Sequence, residues 1–244
     1  MEKHNTMKKR VLLKVSGEAF SGHKGHGYDP EAVDYLTDEI VKVATLCELG
    51  IVVGGGNLFR GSKQGKELGL VSNKEEESSA HYVGMIATIL NGIILNTKLK
   101  QRGIDRRHQS SILISAVVEP FIQQRAIRHL EKGRVVIFSG GTGNPFSTTD
   151  SAMMLRALQI DASLVLKGTK VDGIYEEDPV RNASAKFIPQ ITFNDYLQLD
   201  LKILDAPAVS QARDNNQPIQ IFNFFVPGNL KKIIEGESVG SVIN

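Results

Sequence analysis

Residues 10–17 read RVLLKVSG, an apolar run of strand character that ends on a lysine, a serine and a glycine. Within Glu31–Leu49 the apolar residues Val33, Leu36, Ile40, Val43, Ala44 and Cys47 recur at helical spacing, and IVV at 51–53 opens a second strand that runs into three glycines. Strand, amphipathic helix and strand make a βαβ unit. The alternation continues outward: a helix is expected over 80–101, a strand in SILISAV (111–117), a helix over 120–131, a strand in RVVIFS (134–139), a helix over 150–158 and a strand in ASLVLK (162–167). Continuous Val/Ile/Leu strands between helices call for an open, mostly parallel sheet covered on both faces, an α/β fold. Beyond Asp178-Pro179 the rhythm loosens into an extended KFIPQI (186–191), a helix over 205–215, a strand in PIQIFNF (218–224), a helix over 229–235 and a final strand around GSVI (240–243). The chain carries no Pro/Gly/Ser-rich linker, repeat or low-complexity tract. One domain over 10–244 is expected, after a polar, flexible tail over 1–9.

Composition narrows the function classes. A chain of 244 residues, 41% hydrophobic, is long enough for a full core. Its 29 basic and 27 acidic residues are interspersed, for a net charge of +2, and no Lys/Arg run interleaves with aromatics, so nucleic acid is not the expected partner. The single cysteine, Cys47, shares the helical face of Ile40 and Val43; packing is its expected role, and a disulfide framework is excluded. The longest greasy stretch, Val83–Leu95, is shorter than the roughly 18 residues of a membrane span, and no secretory signal pattern opens the sequence. A reducing compartment and a membrane-free protein are expected.

Parallel sheets of this kind place ligands at the carboxyl ends of their strands. Four loops lie there: KVSGEAF, VGGGNLFRG, SGGTGNPFSTTD and KGTKVDGIYEEDP. Each pairs glycine with charge. A backbone without Cβ approaches a phosphate closely, its N–H groups point at the anion, and a helix N-terminus adds partial positive charge. Neither G-x-x-x-x-G-K-[ST] nor G-x-G-x-x-G occurs, so P-loop and standard dinucleotide chemistry are set aside. Phosphoryl transfer needs cations on the phosphate oxygens and an in-line arrangement of donor and acceptor. Lys14 and Arg60 are the natural clamps; the alternative for Lys14 is an outward residue snorkelling to solvent. Asp150 is read as catalytic or as the cap of the following helix, a place that Thr149 suits equally.

The stretches LLKVSGEAF, VVGGGNLFRG, GTGNPFSTTDSAMMLRALQIDA, LKGTKVDGIYEEDP and LKILDAPAVSQARDNNQPIQIFNF closely resemble the bacterial-type uridylate kinases of the amino acid kinase superfamily. The resemblance runs from about Arg10 to Asn244, and GTGNPF with TTD is its most specific part. It implies a three-layer αβα sandwich and transfer of the γ-phosphoryl group of ATP, as its Mg2+ complex, to UMP in pyrimidine nucleotide synthesis. It implies that Lys14, Val15, Ser16, Gly17, Gly56 and Arg60 meet the ATP phosphates and that Thr169, Tyr175 and Asp178 line the adenosine pocket. Gly55 and the loop Thr142, Gly143, Asn144, Pro145, Phe146, Ser147, Thr148 and Thr149 would hold UMP. Lys167 would be a second cation beside the transferred group, with Asp150 and Asp205 organising both lysines. The segment Gly22, His23, Lys24, Gly25, His26 and Gly27 matches a region that in some members takes part in activation by GTP. A homohexamer, UTP feedback inhibition and a cytoplasmic place are implied as well. No protein metal site is expected, because no Cys or carboxylate cluster supports the two loop histidines. The chain departs from the family at His81, where an aspartate usually accepts the ribose hydroxyls of UMP. A neutral imidazole offers one acceptor at most, so either His81 or Glu77 is expected to take that contact, unless the longer preceding stretch leaves His81 at the surface.

Overall fold

The structure, a computed structural model, describes residues 8–182 and 184–244, without the side chains of Ser62 and Lys63. Residues 1–7 of the expected tail lie outside the described residues. In chain order the elements are β1 (Arg10–Val15), α1 (Glu18–Ser21), α2 (Pro30–Val41), β2 (Glu48–Val53), α3 (Gly61–Glu67) and α4 (Lys74–Gln101). Then come β3 (Arg106–Ser110), β4 (Glu119–Pro120), α5 (Gln123–Glu131), β5 (Val135–Ser139), α6 (Thr149–Gln159) and β6 (Leu164–Thr169). The C-terminal part adds β7 (Ile174–Tyr175), β8 (Phe187–Ile188), β9 (Gln190–Ile191), α7 (Phe193–Gln198), α8 (Ala206–Asp214), β10 (Ile219–Asn223), α9 (Asn229–Glu235) and β11 (Ser241–Ile243). Among the described residues nine strands form one sheet in the order β4-β3-β5-β2-β1-β6-β10-β11-β9, and β7 pairs with β8 apart from it. Within the sheet β10 and β11 run antiparallel, and the other neighbours are parallel.

The pleat divides the apolar residues of each central strand between two cores. Val11, Leu13 and Val15 of β1 and Leu49, Ile51 and Val53 of β2 join Leu36, Ile40, Leu95, Leu99 and Leu230 from α2, α4 and α9. On the other face Leu12, Val52, Val136 and Val165 meet Ala126, Leu130, Met153, Ala157 and Val209 from α5, α6 and α8. Strands buried on both faces explain why their sequences are apolar runs without alternation. The result is the expected three-layer αβα arrangement.

Several boundaries differ from the sequence expectation: α4 starts at Lys74 and not near 80, so the acidic stretch before His81 is helix, α5 starts at Gln123 and not at 120, and two larger differences follow. The helix expected as far as Leu49 ends at Val41, and β2 starts at Glu48, where the Glu48 amide donates to the Lys9 carbonyl (3.0 Å) and the Glu48 carboxylate pairs with Arg10 (2.7 Å). Cys47 therefore lies in the turn and not on the helix face; it is buried all the same, and burial pushes its thiol up to about 12. The strand expected in SILISAV is instead the preceding polar segment Arg106–Ser110, which pairs along β5 from Arg106↔Val135 to Ser110↔Ser139. SILISAV leaves the sheet, with Leu113 and Val117 exposed. The ladder with β5 holds this polar strand in the sheet, and one of its side chains, His108, is buried against Ser139, Nε2 to Oγ 2.7 Å.

Helix α4 spans 28 residues, and an 18-residue window of it reaches a mean hydropathy of 1.3, enough in length and composition for a membrane span. It packs instead against β3, β5 and α2, burying Met85, Ile89, Asn91, Leu95 and Leu99. Gly92 makes the approach possible: a Cβ there would stand 2.3 Å from His108 Nε2. Gly to Ala inside a helix ordinarily stabilises by about 1 kcal/mol. We expect Gly92→Ala to destabilise by roughly 2 kcal/mol through overpacking, with much of that recovered in the Gly92→Ala/His108→Ala double variant, as urea unfolding will measure.

Candidate active site

Strand register creates the centre of the site. Lys14 of β1 and Lys167 of β6 are Cα partners in adjacent parallel strands, so their side chains leave the same face of the sheet. Each is 7% exposed. The snorkelling alternative for Lys14 is thereby excluded. Between them stands Asp150, in the first turn of α6: Oδ1 is 3.1 Å from Lys14 Nζ and Oδ2 is 2.5 Å from Lys167 Nζ. Burial alone would raise the Asp150 carboxyl, but the ammonium groups of Lys14 and Lys167 outweigh it and hold the group below the ordinary carboxylate range. Burial, reinforced by Lys14 and opposed by Asp150, lowers Lys167 to about 8. Lys167 also donates to the Ile203 carbonyl. The adjoining residue is fixed by Tyr196, whose hydroxyl accepts from the Leu204 amide (2.6 Å) and donates to the Leu204 carbonyl (3.1 Å).

Glycines let the phosphate-type loops close on one another. A Cβ on Gly17 would meet Gly56 N at 2.5 Å, and one on Gly55 would meet the Gly84 carbonyl of α4 at 2.9 Å. Asn57, directly after the triple glycine, ties this corner together: its amide donates to the Gly27 carbonyl (2.9 Å), while Asn91 of α4 donates to Asn57 Oδ1 and to the Gly54 carbonyl (both 2.7 Å). Val15 is buried and its carbonyl accepts from Gly54 N (2.9 Å); Ser16 follows at the strand end. Arg60 leaves the same loop and pairs with Glu18 of α1 (2.9 Å), which also takes Lys170 from the loop after β6 (3.1 Å).

The loop that precedes α6 is anchored at both ends. Gly140, at φ 75°, donates its N–H to Thr88 Oγ1 (2.7 Å); Gly143 is at φ 87° and its N–H donates to the Gly140 carbonyl (3.0 Å). Thr142 Oγ1 accepts from Asn144 N (3.2 Å). At the far end the cap of α6 is Thr148, whose Oγ1 accepts from the amides of Asp150 (3.0 Å) and Ser151 (3.3 Å). Neither Thr149 nor Asp150 is the cap; both stand inside the helix, which frees the Asp150 carboxylate for the lysines. Asp205 differs from expectation too: it caps α8 by accepting from Ala208 N (2.8 Å) and accepts from the Thr148 hydroxyl, while both lysines go to Asp150. Pro145 and Ser147 flank Phe146, a non-glycine residue at φ 60° that turns its half-exposed ring toward α4. His81 packs on that ring with centroids 4.9 Å apart, and Lys74 Nζ lies 5.4 Å above it. Glu77 is held by Lys74 (2.6 Å), whose hydrogen bond lowers its carboxyl.

A cavity of about 380 Å3 lined by Thr148, Asp150, Tyr196, Leu204 and Asp205 opens on this centre, and two more lie farther out. One of about 400 Å3 is lined by Tyr175, Asp178, Pro179, Leu201 and Ile203. Thr169 ends β6 near it, its hydroxyl donating to the Val171 carbonyl (2.7 Å). The other, of about 670 Å3, is lined by Gly22, His23, Gly25, Tyr35, Lys170 and Phe225. Lys24 turns to Asp29 (3.8 Å), and Gly25 and Gly27 adopt positive φ; His26, between them, is exposed. Among the described residues no three His, Cys, Asp or Glu side chains gather as metal ligands. Asp150 and Asp205 are engaged by lysines, by Thr148 and by a helix cap, so the donor set does not fit a protein-held Mg2+.

Glu18, Thr88, Asn57, Asn91 and Tyr196 belong to the site but escaped the sequence reading. Glu18 and Asn57 sit inside the glycine loops and were open to notice there. Thr88, Asn91 and Tyr196 lie in helices far along the chain, and only packing brings them in.

The sequence pattern of the amino acid kinase family matches residues 9–223. The uridylate kinase PUMPKIN, chloroplastic, of Arabidopsis thaliana is 47% identical over 236 residues, which cover 96% of this chain and 68% of that protein. The crystal structure of UMP kinase from Bacillus anthracis superposes with a TM-score of 0.91 at 36% identity, covering 98% of this chain and 96% of that one. UMP kinase from Ureaplasma parvum gives 0.88 at 33% identity, covering 97% and 99%. With the whole sheet shared at such identity, the chain belongs to the amino acid kinase family.

Proposed function

We propose that this protein is a UMP kinase that moves the γ-phosphoryl group of ATP onto the phosphate of UMP, yielding ADP and UDP. The observation that carries the reading is the buried Lys14–Asp150–Lys167 cluster, set between the glycine loop of residues 140–149 and the cavity beside Tyr175 and Asp178. An oxygen of the UMP phosphate attacks Pγ, and the bond from Pγ to the β,γ-bridging oxygen breaks. The acceptor is already an anion near neutral pH, so no general base is needed; positioning and charge neutralisation supply the catalysis. Lys14 and Lys167 meet the transferred group, Asp150 holds both ammonium groups in place, and Arg60 exchanges Glu18 for phosphate. Val15, Ser16, Gly17 and Gly56 cradle the ATP phosphates, with adenosine toward Thr169, Tyr175 and Asp178. ATP enters as its magnesium complex, the ion riding on the phosphates because the carboxylates at hand are engaged. UMP lies along Gly55 and residues 142–149, and His81 acts on it through Phe146. Asp205 contributes by fixing Thr148 at the head of α6.

The setting follows the same reading. A single catalytic domain over 10–244 is supported by one sheet that spans β4 to β9. Self-association to a homohexamer is supported by an apolar stripe on α4, where Tyr82, Val83, Ile86 and Leu90 are each 42–48% exposed. UTP inhibition, GTP activation involving residues 22–27, and a role in pyrimidine nucleotide synthesis are proposed from the resemblance. The family does not fix the compartment, since the Arabidopsis relative is named chloroplastic; the expectation of a cytoplasmic place gives way to that of a reducing one.

ADP release measured with UMP, CMP, aspartate and N-acetylglutamate as acceptors tests the proposal, and turnover confined to the amino acid acceptors would overturn it. We expect Asp150→Asn to lower kcat about 100-fold while UMP binding, followed by calorimetry, stays measurable. The pH profile offers a sharper test. Lys167 is charged below about 8 and neutral above it, so kcat/KM for ATP should fall as pH rises through that value. Lys167→Arg carries a cation that does not titrate there, so its profile should stay flat on the alkaline side, at a lower rate.

A further inference from the structure

Among the described residues one buried cation stands outside the phosphate cluster. Arg156 of α6 is 3% exposed, and its polar partners among the described residues are neutral. Its guanidinium lies over the Phe121 ring, 3.8 Å from the centroid, and donates to Gln159 Oε1 and, from Nη2, to Ser111 Oγ at 2.6 Å. A buried guanidinium without a carboxylate is expensive, and burial lowers it to about 10. An apolar side chain would fill the same space at less cost, so what the charge reaches matters.

It reaches the acceptor loop. Ser111 Oγ, which accepts from Arg156, donates in turn to the Gly141 carbonyl (2.8 Å), and the Ser111 amide donates to the Ser139 carbonyl (3.1 Å). The loop bends directly over this residue: a Cβ on Gly143 would stand 3.3 Å from Ser111 Cβ. A donor that already accepts from a cation makes a stronger hydrogen bond, because the chain of dipoles is polarised in one direction. The same helix carries Asp150 one and two-thirds turns earlier, so one rigid element presents the catalytic carboxylate at its head and braces the loop from its flank.

We infer that Arg156 is a positioning residue for the acceptor nucleotide: through Ser111 it fixes the Gly141–Gly143 backbone against which the acceptor phosphate is aligned. The inference rests on the reading that residues 142–149 hold UMP. Arg156→Met and Ser111→Ala should each raise KM for UMP about ten-fold, as expected when a charge-assisted contact is lost. KM for ATP should stay within about two-fold, and the double variant should be no worse than the poorer single one, since both cut the same relay. A purely structural role would lower thermal stability and leave the two KM values unsplit, which would overturn the inference. Should Arg156→Met fail to fold, Ser111→Ala carries the test alone. Asn144→Ala, in the loop itself, separates the two readings. If it raises KM for UMP and the relay variants do not, the relay is wrong and the loop assignment stands; if none of the three affects UMP, both are wrong.

Discussion

One carboxylate between two lysines organises this protein. Parallel pairing of β1 with β6 forces Lys14 and Lys167 side by side under the head of α6. Two unit charges about 5 Å apart repel by about 3 kcal/mol at an effective dielectric near 20, and neither ammonium has water enough to escape. Asp150 turns that repulsion into a bridge, and its position follows from a cap one step earlier. Because Thr148 and not Asp150 satisfies the first amides of α6, the carboxylate is free to point down at the sheet. The same Thr148 hydroxyl donates to Asp205 at the head of α8, so two helix N-termini and two strands are joined at one point.

The remaining cations of the site are held more loosely, and the contrast has functional meaning. Lys14 and Lys167 are buried, so their geometry hardly varies. Arg60 and Lys170 approach Glu18 from opposite loops with side chains about half exposed, and exposed pairs of this kind contribute little stability. Phosphate oxygens can take over such a cation at small cost, whereas the buried cluster stays as a fixed background of positive charge. Glycines at 17, 54 and 55 keep the loops close enough for both kinds of cation to face one volume, and Asn57 with Asn91 stitches that corner to α4.

Much of the fold and the centre of the site were legible in the chain. The β1–α2–β2 unit, the strand at Val135–Ser139, the helix at Asn229–Glu235 and the four loops at the carboxyl edge all follow from apolar runs, helical spacing and glycine position. Lys14, Arg60 and Asp150 stood out because each charge adjoins a glycine loop or ends an apolar strand, whereas Lys167 came in through the family resemblance. The short helices α1, α3 and α7 left weaker marks, since a few residues carry no usable periodicity.

By itself the sequence determined the α/β alternation, the parallel sheet and the kinds of side chain gathered at its edge, because hydrophobic period and glycine conformation are local properties. Tertiary structure alone decided that the polar run Arg106–Ser110 is the strand while SILISAV turns away from the sheet, since β3 is stabilised by its ladder with β5 and by the fit of His108 against Gly92. It also decided that Thr148 caps α6, that Asp205 serves Thr148 and leaves the lysines to Asp150, and that His81 meets Phe146. Each of those choices depends on a contact between residues distant in the chain, and the energy of such a contact exists only once register and packing have brought the two together.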